Sequence, residues 1–255
     1  MVRNPNKKYF KMKNFVLIFF TLFVSSSVIA QGSNENPTFK SSLDLKISNT
    51  SVVYNQELEQ LIFTIETKGV AGNSIPKAIG KMDGAPVLGY VFPTTLKSTD
   101  VGFGETEGIV ALALTSHPDF DDTPLWDENA DQNYANDGII WHPHWVVLIK
   151  DSRVTGGLAV KQFDPKKENV TLPPTNPGMP MYMDSPGFSV ITKGNSIKVI
   201  VPVYRMKHKT QFKFDAVTAY MQVNASKSNY PMLGVYSVYS VASGDLSLPY
   251  TVKYK

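Results

Sequence analysis

Half of the chain's four histidines stand in one pentapeptide, Trp141-His142-Pro143-His144-Trp145. On an extended strand, residues two apart project from one face about 7 Å apart along the backbone, so their imidazoles can converge on a single ion. His117, in Ser116-His117-Pro118-Asp119, becomes a third ligand if a strand at Ile109 to Leu114 pairs alongside. Neutral imidazoles joined by a carboxylate suit zinc, iron, copper or nickel, and an open coordination position would permit catalysis. The competing expectation is a pair of histidines satisfied by hydrogen bonds between core tryptophans.

An acidic segment feeds this pentapeptide: Asp119, Asp121 and Asp122, then Asp127, Asn129, Asp131 and Asp137. Asp127, Asn129 and Asp131 alternate as hard oxygens do in calcium loops, and Asp137 can close the shell. Gln132 stands where an EF-hand loop needs Gly, and Gly138 where it needs a bidentate Glu. The expectation is therefore a calcium site of other geometry, against a solvated loop held by Asx turns. Crowded carboxylates without a cation repel one another, which favours the ion. Met179, Met181 and Met183 also alternate on an extended segment. With histidine they could hold copper; as core filler they would need no ligand.

The pentapeptide resembles the His-x-His-Trp strand of α-type carbonic anhydrases, exported β-proteins whose zinc takes a third histidine further along. Here no histidine occurs between His144 and His208, so the zinc-hydroxide mechanism is not carried over. It is also similar to the cupin pattern, with Gly ahead of His-x-His and a Glu ligand after it. Gly138 precedes the pair, but Leu148 and Ile149 occupy the Glu region and the next carboxylate is Asp151.

Other chemistries have less support. The chain has no cysteine, which removes disulfides, thiolate metal sites and cysteine nucleophiles together. No Gly-x-Ser-x-Gly elbow occurs, and Gly102-Phe103-Gly104 and Gly156-Gly157 read as turns, so no nucleotide cofactor is expected. Trp126, Tyr134, Trp141 and Trp145 could form a sugar-stacking platform, making a glycan or other small molecule the conceivable partner.

The elements that must position these residues are β-strands. Residues 1–30 read as an export signal: Arg3, Lys7, Lys8, Lys11 and Lys13 precede the apolar run Phe15 to Val24, and Val28-Ile29-Ala30 offers a cleavage site. Without those five, 20 Lys+Arg face 22 Asp+Glu, a net charge near −2 that gives no reason to expect nucleic acid. A periplasmic or secreted bacterial protein with no membrane span after signal removal is expected.

Residues 31–42 read as a flexible lead and 43–255 as a single all-β domain, an antiparallel β-sandwich or open barrel with long irregular loops. Strand patterns recur at Ser51 to Tyr54, Leu61 to Thr67, Ile109 to Leu114, Gly138 to Ile149, Leu158 to Phe163, Phe188 to Thr192, Ser196 to Tyr204, Ala216 to Val223 and Val235 to Val241. Lys68 to Gly108 and Asn169 to Gly187 read as loops long enough to be functional or to hide short strands. Pro143 removes a backbone donor, which favours an edge strand or bulge and an accessible histidine pair.

The function expected is an exported, non-catalytic β-sandwich protein binding calcium or a transition metal, or a small ligand. Alternatives are a metal-dependent hydrolase, lyase or oxygenase using His117, His142 and His144, and a carbohydrate-binding or adhesion module.

Overall fold

The computed structural model describes residues 39–123, 126–133 and 136–255. The expected export signal, the lead as far as residue 38, and Tyr134 lie outside the described residues. No α-helix occurs among the described residues; short 3-10 turns join fourteen strands.

One sheet is built from hairpins. β1 (Ile47–Asn55) turns into β2 (Gln60–Thr67), the Asn55 side chain accepting the Leu58 N–H at 3.0 Å. β8 (Val190–Lys193) and β9 (Ser196–Pro202) meet at Gly194-Asn195, where Gly194 takes a φ of 59° as this tight turn requires. With β14 (Lys253–Tyr254) parallel to β1, the order is β14-β1-β2-β9-β8.

The second sheet closes on itself. β3 (Pro86–Pro93), β4 (Ile109–Ser116), β5 (His142–Lys150), β6 (Leu158–Val160), β11 (Val217–Val223) and β12 (Leu233–Val241) run β4-β3-β11-β12-β6-β5, and β5 pairs again with β4. β7 (Met183–Asp184) adds to β5, while β10 (Lys213–Phe214) pairs with β13 (Tyr250–Thr251). The expected β-architecture is present, and its barrel is closed rather than open, because the β4–β5 ladder leaves no gap.

The barrel wall that meets the five-stranded sheet is buried on both faces. Leu88, Tyr90, Phe92, Val110, Leu112, Leu114, Trp145 and Val147 pack outward against Val52, Phe63, Ile65, Ile197 and Val199. Their alternates, among them Val87, Val91, Ala111, Ala113, Val146 and Leu148, line the barrel interior. Two buried faces explain why these strands read as nearly continuous apolar runs. Trp145 is 1% exposed and meets Phe63 edge to face at 6.4 Å.

One local expectation is met by its second branch and two are corrected. The segment Lys68 to Gly108, read as a functional loop or one hiding strands, holds β3, an interior barrel strand. Gly89 disguises it: it faces the barrel interior, where a Cβ would lie 2.7 Å from the terminal methyl of Met221, and a glycine within a strand reads as a break in the pattern. The strand expected from Gly138 begins only at His142, after a 3-10 turn at Asp137–Ile139. And β5 is no edge strand, having β4 on one side and β6 and β7 on the other. Pro143 is tolerated because β7 begins pairing at Trp145, leaving Pro143 with a ladder partner only on the β4 side.

Candidate metal centre

The β4–β5 register assembles the site. Thr115 pairs with His142 and Ala113 with His144. His117 follows β4 with the same parity as Ala113 and Thr115, so it reaches the histidine pair as the sequence pattern expected. Trp141 and Trp145 project to the sandwich core and the histidines to the opposite side. The connection after His117 then returns Asp122 to the same point.

The four side chains are buried and converge. The Nε2 atoms of His117, His142 and His144 lie 3.3, 3.4 and 3.4 Å from Asp122 Oδ1, and those of His117 and His142 are 2.8 Å apart. Ligands placed tetrahedrally at 2.0–2.1 Å from zinc would lie about 3.3–3.4 Å from one another. One ligand atom from each of the four lies within 4.8 Å of the others, the arrangement needed to hold one metal ion.

The far side of each ring is anchored. His117 Nδ1 meets the Phe120 carbonyl at 2.7 Å, His142 Nδ1 the Ile140 carbonyl at 2.6 Å, and His144 Nδ1 the Ser185 hydroxyl at 3.0 Å. A carbonyl only accepts, so Nδ1 of His117 and of His142 carries hydrogen and each neutral ring presents its Nε2 lone pair inward. This is how metal-binding histidines are held. Phe120 also stacks on His117 at 4.2 Å and 10°.

The electrostatics fit a centre that could hold a cation. Burial drives His144 down to about 3, so it is neutral. Burial opposes ionisation of Asp122, but the imidazoles around it hold its carboxyl well below the usual range. Burial likewise opposes protonation of His142, yet the Asp122 carboxylate beside its Nε2 raises it. His144 Nε2 and Asp122 Oδ1 have no hydrogen-bond partner among the described residues.

The other acidic residues divide. Asp119 Oδ1 caps the N–H groups of Ile79 and Gly80 at 2.7 and 2.6 Å. Asp127, Asn129 and Asp131 accept backbone N–H groups: Asp131 and Gln132 donate to Asp127, Asp131 to Asn129, and Asn133 to Asp131. The structure therefore places the expected calcium alternation in Asx-type turns.

Asp137 lies elsewhere, with Asp121 and with Glu128, which sequence reasoning left out of the metal set. One oxygen from each of these three lies within 4.8 Å of the others. Asp121 Oδ2, Glu128 Oε1 and Asp137 Oδ2 are buried and have no donor among the described residues. Burial, then the neighbouring carboxylates, raises the pKa of Glu128 and Asp137. No spacing rule links Glu128 to Asp121; only the fold of the loop does.

The surroundings differ on the two sides. Towards the barrel, His117, Asp122 and His144 border a small cavity of about 20 Å³ with Met179, Met181 and Met183, so the methionines share a face as expected. Towards the surface, a cavity of about 370 Å³ is lined by Trp126, Glu128, Trp141, His142 and Phe188. Of the aromatic residues expected to form a sugar platform, Trp126 and Trp141 line this cavity, Trp126 being the exposed one, while Trp145 is buried in the core. No helix among the described residues is long and apolar enough to cross a membrane.

No protein-family model matches the chain, and no curated protein or solved structure matches it significantly.

Proposed function

We propose that the chain is an exported metal-binding protein that holds one divalent transition ion, zinc foremost, through His117, Asp122, His142 and His144. The observation that carries this reading is the convergence of three ring nitrogens on one buried carboxylate oxygen, with the opposite edge of every ring hydrogen-bonded. Lone pairs of two neutral imidazoles 2.8 Å apart repel unless a proton or a cation lies between them. The export reading rests on the basic and apolar character of residues 1–30. Four protein ligands on one ion favour a closed, non-catalytic site.

Elemental analysis of protein purified without chelator tests this: one transition-metal ion per chain is expected, lost in the His142→Ala, His144→Ala double variant. A metal-free preparation that takes up no zinc would end the proposal.

A metal-dependent enzyme is the second reading, favoured by His144 also facing the barrel interior. Cobalt-loaded protein separates the two: a visible spectrum shifted by added azide shows an open coordination position, and an unchanged one shows a closed site.

Calcium, or another hard cation, is assigned by this proposal to Asp121, Glu128 and Asp137 rather than to Asp127, Asn129 and Asp131. The fully buried Asp137, whose Oδ2 lacks a donor among the described residues, supports it. Calcium should raise the melting temperature of the protein but not of Asp137→Asn; equal responses would remove the site.

A further inference from the structure

The barrel is not filled. Between its strands lies a void of about 100 Å³ whose wall is hydrocarbon apart from one end, where Thr115 and His144 face it. Protein interiors normally pack to the density of organic crystals, and here small side chains leave the space: Ala113 on β4 and Ala219 on β11 both point into it. A void that offers so few hydrogen-bond partners is not a seat for ordered water.

Its other end is closed by an unusual cap. Leu246 and Leu248 both line the void and both hold left-handed backbone, with φ of 60° and 54°, a conformation that bulky residues rarely adopt. The preceding turn is pinned from below. Buried Asp215 accepts the Ser243 hydroxyl and, at 3.1 Å, its N–H, while Ser243 Oγ accepts the Leu246 N–H at 3.0 Å. Val238, also in the lining, is 42% exposed, so the wall reaches solvent at this end. Strained backbone persists where surrounding structure enforces it, commonly at ligand clamps.

We propose that the void is a binding chamber for a small uncharged apolar molecule, or the hydrocarbon end of a larger one. Its entrance lies beside Leu246, Leu248 and Val238, and its inner end is His144. The size follows from comparison: an apolar cavity of about 150 Å³ stays dry and binds benzene, so this one suits about four to six carbons. The absence of charge follows from the wall, which has no ionised side chain to offset burial of an ion. What the occupant meets at His144 rests on the metal reading; its binding does not.

Benzene is the probe, and the methionine methyls are the reporters. In metal-loaded protein carrying ¹³C-methyl methionine, the Met183 and Met221 signals, both from the chamber wall, should shift saturably with benzene, while exposed Met82 does not move. Ala219→Phe, which fills the space, should abolish the response; Ala113→Val, a smaller intrusion, should weaken binding by about tenfold if the larger change prevents folding. Absence of saturable shifts, or shifts that both variants leave intact, overturns the chamber. Metal content measured on the same samples separates the claims. Bound metal without a benzene response defeats only the chamber, and a benzene response in protein that takes up no metal defeats only the metal centre.

Discussion

His117 and His142 bring their Nε2 atoms to 2.8 Å while each ring gives its Nδ1 hydrogen to a carbonyl of its own connection, Phe120 or Ile140. Neither ring can turn away without losing a short hydrogen bond. The close approach is thus imposed by the backbone on both sides, and whatever relieves it must be small and positive. A proton on His142, favoured by Asp122, serves at low metal concentration; a metal would displace that proton on binding.

Chelation should therefore lower stability. An ion present at a hundredfold its dissociation constant stabilises the folded state by about 2.7 kcal/mol, which for a domain of this size is roughly 5–10 °C in melting temperature. Scanning calorimetry with and without chelator measures it, and the His142→Ala, His144→Ala variant should show no difference between the two conditions.

Ser185 is expected to tune the centre without joining it. Its hydroxyl is the partner of His144 Nδ1 and fixes that ring's orientation from the segment that follows β7. Removing such an outer partner typically weakens metal affinity by 10–100-fold. Ser185→Ala should accordingly bind one ion with an affinity lower by about that factor in a competition titration, while Thr115→Val, whose hydroxyl lies 3.5 Å from His142 Nε2, should change it much less.

A pH test lies outside the centre, at Asp151. Its carboxyl is held below the usual range, first by the hydrogen bonds from the Arg153 side chain, against an opposing push from burial. A folded-state pKa below the unfolded value means that the pair stabilises the protein above the ordinary Asp value of about 3.9, and that this contribution fades as pH falls through the folded value. Arg153 is 44% exposed, so solvent screens the pair and the contribution is about 0.5–1 kcal/mol. Urea unfolding of Asp151→Asn should show that deficit near pH 7 and little of it near pH 2.5.

The sequence made the histidine centre legible because strand parity is a local rule. Once β4 and β5 pair, His117, His142 and His144 must project together, and the tryptophans must project the other way. Asp122 was legible only as one of several acids. Its place depends on how the connection from His117 folds back, which no period in the sequence encodes. The carboxylate group of Asp121, Glu128 and Asp137 was hidden for the same reason, while the more visible Asp127, Asn129 and Asp131 spacing went into turns. β3 was obscured by Pro86, Gly89 and Pro93, the prolines acceptable at its two ends and the glycine within the barrel wall, yet each a breaker by composition. The closed barrel follows from two pairings of β5, and neither partner can be named from β5 alone.

Gly138 shows how far the site depends on that fold-back. Its carbonyl accepts the His117 N–H at 2.6 Å, tying the end of β4 to the turn before β5. A Cβ at this position would lie 2.1 Å from the Phe120 carbonyl oxygen and 2.4 Å from that of His117. Both contacts are to backbone, so no side chain can swing aside; the connection carrying Phe120 and Asp122 must move. Gly138→Ala should cost about 1–3 kcal/mol, as overpacking of a tight interior does, and should reduce zinc affinity although Gly138 is no ligand. Ile140→Ala, in the same turn but 40% exposed, keeps the backbone carbonyl that His142 bonds and should leave zinc affinity within about twofold of the parent. If Gly138→Ala binds zinc as the parent does, Asp122 is not needed in the place where the structure puts it.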